Sequence, residues 1–308
     1  MKHVFIINPA AGKGKALELI QVIKDYFKGK PDKYVIKITE YPGHATKIAR
    51  EYAVNEPCRI YSIGGDGTVN EIVNGIAGTN ASLGVIPAGS GNDFIRSIHG
   101  EYQSSEIVSD TIKGKERSID MARANGKYFI NISSIGFDAD VVYNAQKFKR
   151  LPYIPGSMAY LFSLIYTIFK NKISEVKVTI DDEEISLKIL LAAVANGRFY
   201  GGGMLPAPDA ALDDGLLDIC LVREVNRLKI LTLFPKYMKG EHGQIEYVSF
   251  KRAKKIKIES KDTIALNIDG EILTGKEIEF EILKGAINII YPVGMTTVST
   301  TKECAVNY

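Results

Sequence analysis

Residues 61–71 read "YSIGGDGTVNE", an apolar run that ends in three glycines and one aspartate before the pattern of a helix begins. Without side chains at Gly64, Gly65 and Gly67, the backbone can approach a phosphate closely and take dihedrals closed to other residues. A helix opening here aims its first N–H groups at the same place, where negative charge is favoured. Asp66 is the odd member, because a carboxylate beside bound phosphates repels them unless a cation stands between. Mg2+ resolves that conflict, since it is typically held by one or two carboxylates together with phosphate oxygens. The stretch therefore predicts a strand–turn–helix unit facing a Mg-nucleotide.

Outward from it, strand-like runs alternate with helical patterns: "HVFIIN", a helix from about Lys15 to Phe27, "YVIKIT", a helix from about His44 to Val54, "RIYSIG", a helix from about Val69 to Ile76, and "SLGVIP". Such alternation predicts βαβ units and a mostly parallel sheet. Ligands of these sheets gather beyond the carboxyl ends of the strands, and here those ends are "NPAAGKG", "TEYPGHA", "GGDGT" and "PAGSGND". After about Arg123 the rhythm changes to successive strands, parted by turn signals such as Asp181-Asp182 and Asp269-Gly270. That pattern predicts hairpins and an antiparallel sandwich, with helices only near Ser157 to Lys170 and Asn226 to Lys239. The expected division is residues 1–123 and 124–293, with a tail of about 294–308 packing back on the first unit.

The 308 residues are 45% hydrophobic and 24% charged, ample for two cores, and the net charge of +3, with no basic stripe interleaved with aromatics, argues against nucleic acid. Cys58, Cys220 and Cys304 fit neither a disulfide framework nor a zinc site, so a reducing cytoplasm suits the chain. The opening apolar run stops at Asn8-Pro9 and reads as a strand, not an export signal. Four histidines share no spacing and read as surface or turn residues. "SMAYLFSLIYTIF", Ser157 to Phe169, falls short of the roughly 20 residues that span a bilayer. Its flanking Lys147, Lys149, Arg150, Lys170 and Lys172 leave two readings: a buried helix with solvated ends, or a segment resting on anionic headgroups. "KRAKKIKIESK", Lys251 to Lys261, likewise reads as a solvated strand or a lipid-attracted one.

"GKGKA" at Gly12 to Ala16 lacks the spacing of a P-loop, and no G-x-G-x-x-G follows the first strand. Lys13 and Lys15 are either solvated or turned towards phosphate. "GGDGT", preceded by "NPAAGKG" and followed by "PAGSGNDF", resembles the bacterial diacylglycerol kinase and lipid kinase family, relatives of the sphingosine kinases. The resemblance spans nearly the whole chain, because "NGRFYGGGMLPAPDAALDDGLLDI" and "NIDGE" also match in kind and order. GGDGT alone is shared with NAD kinases; the combination discriminates.

The resemblance implies a Rossmann-like α/β nucleotide-binding domain, a C-terminal antiparallel β-sandwich domain, and an active site in the cleft between them. There Mg-ATP would meet a lipid hydroxyl, that of diacylglycerol, at a membrane surface the chain touches without crossing. Carried over, the nucleotide contacts are Asn8, Pro9, Ala10, Ala11, Gly12, Thr39, Gly65, Asp66, Gly67, Thr68, Val69, Asn70, Glu71 and Ser90, with Asp93 a partner in the metal's water shell. "ALDDGLLD" implies a structural Mg2+ with Asp214 as side-chain ligand and carbonyls from Ala211 and Leu216; a plain turn is the competing reading. Glu271 is implied as the base and Asp66 as organiser of metal and water. Two rivals stand beside this reading: an NAD kinase using the same loop, and a nucleotide- or lipid-binding regulator without catalysis. A homodimer is the prior for oligomeric state.

Overall fold

The computed structural model describes residues 1–99, 106–148, 162–163, 166–168, 170 and 173–294. Strands β1 (Lys2–Ile7), β2 (Lys33–Ile38), β3 (Cys58–Gly64) and β4 (Ser82–Pro87) form a parallel sheet in the order β2-β1-β3-β4. Phe5 and Ile7 of β1 pack with Ile23, Phe27 and Tyr61 on one face, while Val4 and Ile6 meet Ala45, Ile48 and Ile72 on the other. A strand covered on both sides needs apolar residues at every position, which is why these runs do not alternate. Helices α1 (Leu19–Phe27), α2 (His44–Ala53), α3 (Asp66–Ile76), α4 (Asp93–His99) and α5 (Ile107–Ile112) accompany the sheet.

Two boundaries differ from expectation at the rim. Residues Ala11–Glu18 form a 3-10 segment ahead of α1, because Gly12, Lys13 and Gly14 take φ of 60°, 58° and 95°, which no α-helix accommodates. Helix α3 opens at Asp66, three residues before Val69, so much of GGDGT is a helix's first turn.

The second half contains β5 (Lys115–Ala124), β6 (Lys127–Phe129), β7 (Ile132–Gly136), β8 (Ser174–Ile180), β9 (Glu183–Ala195), β10 (Leu217–Arg223), β11 (Val248–Ala253), β12 (Lys255–Ile268) and β13 (Glu271–Tyr291). Strands β9 and β12 are long enough to serve two antiparallel layers, pairing with β8 through their first halves and with β7 through their second. Val178, Ile189, Ile219, Leu266 and Phe280 fill the space within. The outer face of β9 and β10 is covered by α6 (Phe137–Phe148) and α7 (Arg227–Lys239). Helix α6 is unexpected from sequence: the strand signal of β7 runs straight into it. The break is Gly136, at φ +86°, where a Cβ would stand 2.5 Å from the carbonyl oxygen of Leu190.

Strand β13 leaves the sandwich alongside β12, continues antiparallel to β5, and ends parallel to β4 at Asn288–Ile290. One strand therefore belongs to both halves. Residues 295–308 of the expected tail, Cys304, Lys149, Arg150, Lys172 and most of Ser157–Phe169 lie outside the described residues. Cys58 and Cys220 are buried thiols outside any disulfide, and Cys220 Sγ lies 3.6 Å from His242 Nε2. His3 and His242 are buried, not at the surface; His3 stacks on Tyr61 and shares a hydrogen bond with its hydroxyl at 2.9 Å. The stretch 251–261, expected as one strand, is divided at Lys254 between β11 and β12, and Lys257 is ion-paired with Glu277 at 2.7 Å and Lys251 with Glu183 at 3.3 Å. Among the described residues no helix is long and apolar enough to cross a membrane.

Helices α2 and α3 touch at Gly75, where a Cβ would stand 2.6 Å from the Thr46 carbonyl oxygen and 2.8 Å from the Ala49 Cβ. Overpacking costs about 1–3 kcal/mol, and alanine's better helix propensity returns about 1 kcal/mol. Gly75→Ala should therefore lower the unfolding free energy by up to about 2 kcal/mol, read by thermal or urea denaturation. A variant as stable as the wild type would show that the two helices can separate freely.

Candidate active site

The loops after β1, β3 and β4 meet backbone to backbone. The Gly64 carbonyl accepts the N–H groups of Ala88 at 2.9 Å and Gly89 at 3.1 Å. A Cβ on Gly89 would lie 2.4 Å from the Gly65 Cα, and one on Gly12 would lie 2.8 Å from the Ala88 oxygen. Only glycine permits this packing, and the joined loops form one wall of a cavity of about 1420 Å3. Of the expected nucleotide contacts, Asn8, Ala10, Ala11, Gly12, Gly65, Asp66, Gly67, Val69 and Ser90 line it, as do Lys13 and Lys15.

Pro9, Thr39, Thr68, Asn70 and Glu71 are not among its lining residues. Thr39 extends the β1–β2 ladder by donating its N–H to Ile7 at 2.9 Å. Thr68 accepts from the Asn8 side-chain amide at 3.3 Å, which ties the first loop to α3. The Glu71 carboxylate caps α2, accepting the N–H groups of Gly43 at 2.8 Å and Ala45 at 3.0 Å. That contact binds the "TEYPGHA" loop to α3.

Four carboxylate residues line the cavity, Glu18, Asp66, Asp93 and Asp269, and the three aspartates carry its polar contacts. Asp66 Oδ1 accepts the Phe94 N–H at 3.1 Å, fixing α3 to the start of α4. Asp93 is 5% exposed; its Oδ2 accepts the Gly202 N–H at 2.7 Å, reaching across to the "YGGGM" turn of the second half. Its Oδ1 is buried without a hydrogen bond, 3.5 Å from the Arg96 guanidinium. Burial pushes Asp93 up to about 6, the Gly202 N–H opposing the shift and the charge of Asp66 adding to it.

A Cβ on Gly91 would stand 2.7 Å from Asp66 Oδ2 and 3.4 Å from Asp93 Oδ2, so glycine there keeps the space between the two carboxylates open. Two carboxylates, an orphaned buried oxygen and a gap between them fit a hard divalent cation. Among the described residues no three His, Cys, Asp or Glu gather to hold a metal, so phosphate oxygens and water would have to complete its shell.

Asp269 closes the cavity from the other side. It takes φ +45° and Gly270 takes +95°, the left-handed pair that a two-residue hairpin turn demands. Its Oδ1 accepts the Ile132 N–H at 2.9 Å, and its Oδ2 accepts the Ile130 N–H and the Asn70 amide, both at 3.2 Å. Asn70 lies on α3, so this carboxylate joins the GGDGT helix to the β12–β13 turn. Burial pushes Asp269 up to about 6 despite the three donors. Glu271 stands just past the turn, its Oε2 2.5 Å from Lys127 Nζ on β6; it is 44% exposed and not itself among the lining residues.

The "ALDDGLLD" loop holds Asp214, implied as a side-chain metal ligand. Asp214 Oδ1 accepts the Leu216 N–H at 2.9 Å, and its Oδ2 is taken by the Arg252 guanidinium, whose Nε lies 3.3 Å from Asp218. A cation of the chain itself thus stands against the carboxylate implied as the metal ligand. The loop's shape comes from Asp120, buried in β5, which accepts the N–H groups of Gly215 at 2.6 Å and Gly285 at 2.7 Å. Sequence reasoning passed over Asp120 and the binding role of Asp269. The signal for Asp120 was a lone aspartate inside the apolar strand "SIDMARA".

Residues 2–124 match the family model of the diacylglycerol kinase catalytic domain, and residues 131–291 match the YegS C-terminal NAD kinase beta sandwich-like domain. The chain is 30% identical over 299 residues to a diacylglycerol kinase of Bacillus subtilis (strain 168), covering 95% of this chain and 97% of that one. It is 34% identical over 236 residues to a diacylglycerol kinase of Mycobacterium tuberculosis (strain ATCC 25618 / H37Rv), covering 74% and 75%. A solved diacylglycerol kinase from Bacillus anthracis str. Sterne superposes with a TM-score of 0.72 at 27% identity, covering 96% of this chain and 98% of its own.

Asp269→Asn presents an NH2 group to one of the backbone donors, and a buried donor left unsatisfied costs roughly 1–3 kcal/mol. The variant should be destabilised by about that amount at neutral pH. Because the folded-state value near 6 exceeds the unfolded carboxylate's value of about 4, the wild-type fold binds this proton more tightly than the unfolded chain. Its contribution to stability is complete below the unfolded value and is lost as pH rises through the folded one. Denaturation at a series of pH values should show a shallower decline over that window in the variant; identical profiles would remove Asp269 as the source.

Proposed function

The chain belongs to the bacterial diacylglycerol kinase and lipid kinase family, and on that premise we propose that it transfers the γ-phosphoryl group of ATP, with Mg2+, to the hydroxyl of diacylglycerol, giving phosphatidic acid and ADP. The observation that carries this reading is the two-sided cavity: a side-chain-free wall of glycine loops from the first half faces a turn from the second that presents Glu271 at its edge. Its volume of about 1420 Å3 exceeds the roughly 300–1,000 Å3 of a pocket for one small ligand, which leaves room for nucleotide and acceptor together.

In this mechanism the glycine loops and the opening of α3 hold the phosphates by backbone N–H groups. Asp66 and Asp93 would hold Mg2+, which when bound offsets the negative charge of the β- and γ-phosphate oxygens. The acceptor oxygen forms a bond to the γ-phosphorus as the bond to the β–γ bridging oxygen breaks, and the acceptor proton passes to a carboxylate. Glu271 suits that role better than Asp269. Both oxygens of Asp269 already accept fixed N–H groups, whereas Lys127 holds only Oε2 of Glu271. Asp269 sets the turn from which Glu271 acts.

Work at a membrane surface is supported by the exposed apolar residues Leu231 (53%) and Met238 (44%) on α7. They lie among Lys229, Lys236 and Lys239, a combination suited to anionic headgroups.

Transfer of labelled phosphate from ATP to diacylglycerol in mixed micelles, with NAD and sphingosine in parallel, tests the reading. Labelled phosphatidic acid is expected; Asp66→Ala should abolish it, and Glu271→Gln should lower kcat by about 10²–10⁴ with nucleotide affinity retained, as loss of a general base does. Label in NAD alone would move the chain to the NAD kinases, and lipid binding without turnover would make it a regulator.

A further inference from the structure

At the edge of the cleft Glu271 is held through one oxygen, Oε2, by Lys127 Nζ at 2.5 Å. Both side chains are 44% exposed, and an ion pair so open to water contributes little to stability. The backbone on either side of the lysine is nevertheless fixed by hydrogen bonds to two different elements, an investment that the stability of the pair does not explain.

Lys127 opens β6, a strand of three residues that pairs with β5. Just before it, Asn125 and Gly126 take φ of 45° and 86°, the left-handed pair of a two-residue hairpin turn. Asn125 ties that turn to β13. Its side chain donates to the Glu277 carbonyl at 3.0 Å and accepts the Glu279 N–H at 2.8 Å, and its own N–H donates to the Glu279 carbonyl at 3.1 Å. On the other flank Tyr128 is tied to α3: its N–H donates to Asn74 Oδ1 at 3.0 Å, and its carbonyl accepts the side-chain amides of Asn74 at 2.9 Å and Asn70 at 3.2 Å. Lys127 therefore stands between the strand that begins with Glu271 and the helix whose first turn faces the phosphates.

Resting on the lipid-kinase reading above, we propose that Lys127 is a positioning residue for the base: it takes Oε2 of Glu271 and so turns Oε1 to the acceptor hydroxyl, in a register that α3 sets through Asn74 and Tyr128. A base has to lie within about 2.6–3.2 Å of the atom whose proton it removes, and an exposed glutamate at a strand end has torsional freedom that one fixed oxygen takes away. Such fixing works when the holding group is itself locked by its neighbours, as Lys127 is from both flanks. The cavity wall includes Gly270, the neighbour of Glu271, but neither Lys127 nor Tyr128, so the lysine acts through the carboxylate and not on the phosphates. In the transfer step the acceptor O–H bond breaks, its electron pair forms the bond to phosphorus, and the proton goes to Oε1; Lys127 keeps its own protons throughout.

The test uses the full chain and two arms. A water-soluble carbodiimide, which joins an amine and a carboxylate in contact as an amide and takes up the water released, is applied to the protein, and the links are mapped by mass spectrometry. A Lys127–Glu271 link is expected in the wild type, and its absence would overturn the contact. In the second arm, kcat and KM for ATP and diacylglycerol are measured for wild type, Lys127→Met, Lys127→Arg, Glu271→Gln and the double variant Lys127→Met with Glu271→Gln. Lys127→Met should lower kcat tenfold or more with both KM values within twofold, Lys127→Arg should return kcat to within threefold of wild type, and Lys127→Met should cost less than twofold where Glu271 is already replaced. An equal loss in both backgrounds, a loss carried by KM in place of kcat, or no rescue by arginine would overturn the positioning role. Should Lys127→Met fail to fold, Lys127→Gln takes its place in every comparison. If the wild type phosphorylates no diacylglycerol, the function proposed above fails while the cross-link still decides whether Lys127 holds Glu271.

Discussion

The carboxylate of Asp269 is the contact on which the relation between the two halves rests. It accepts the backbone N–H of Ile130, just before β7, that of Ile132, the first residue of β7, and one amide from α3, so a residue of a hairpin turn specifies where a helix of the other half must lie. Taking a carboxylate partly out of water is costly, and its raised pKa measures that cost. Three fixed donors offset it only in this one geometry, which gives the contact its directional character. Helix α3 carries the nucleotide-facing turn at one end and Asn70 one turn further on. Glu271 follows the turn that Asp269 closes. A shift of this contact would displace both reacting sides of the cleft at once.

The opposite wall is built on another constraint. Three loops approach one another so closely that Gly12, Gly65 and Gly89 leave no volume for side chains. What they present to the cavity is peptide backbone, whose N–H groups suit phosphate. The chain thus divides the labour by residue type: main-chain dipoles for the phosphates on one side, and oriented carboxylates for the proton and the cation between and opposite them. Arg252 against Asp214 shows the same economy in the second half, where a guanidinium stands against a carboxylate that the resemblance assigns to an ion.

Much of this was legible in the sequence. The alternation of strand and helix patterns announced a parallel sheet, and "GGDGT" with its neighbouring glycine loops announced the rim of the cleft. What was not legible follows from how information is carried. Glu71 stands in line with the nucleotide-facing residues, yet helical geometry rotates it onto the far side, where the unpaired N–H groups of α2 capture it. Asp269 looked like turn chemistry alone, because nothing local reveals that its acceptors meet donors some 140 residues earlier. Helix α6 was hidden because a strand signal and a helix signal abut with only Gly136 between them.

Strand β13 gives the molecule a property that its two-part appearance conceals. A cleft between units joined by flexible linkers can be split into working pieces; this one shares 21 residues of continuous strand, hydrogen-bonded to β12, β5 and β4 in turn. A fragment ending before Glu271 would bare the edges of three strands, and bare edges recruit other chains. As a genetic unit the fold is therefore indivisible. Recombination could exchange its loops or its covering helices, but a crossover placed between the halves would yield two sticky remnants in place of two domains.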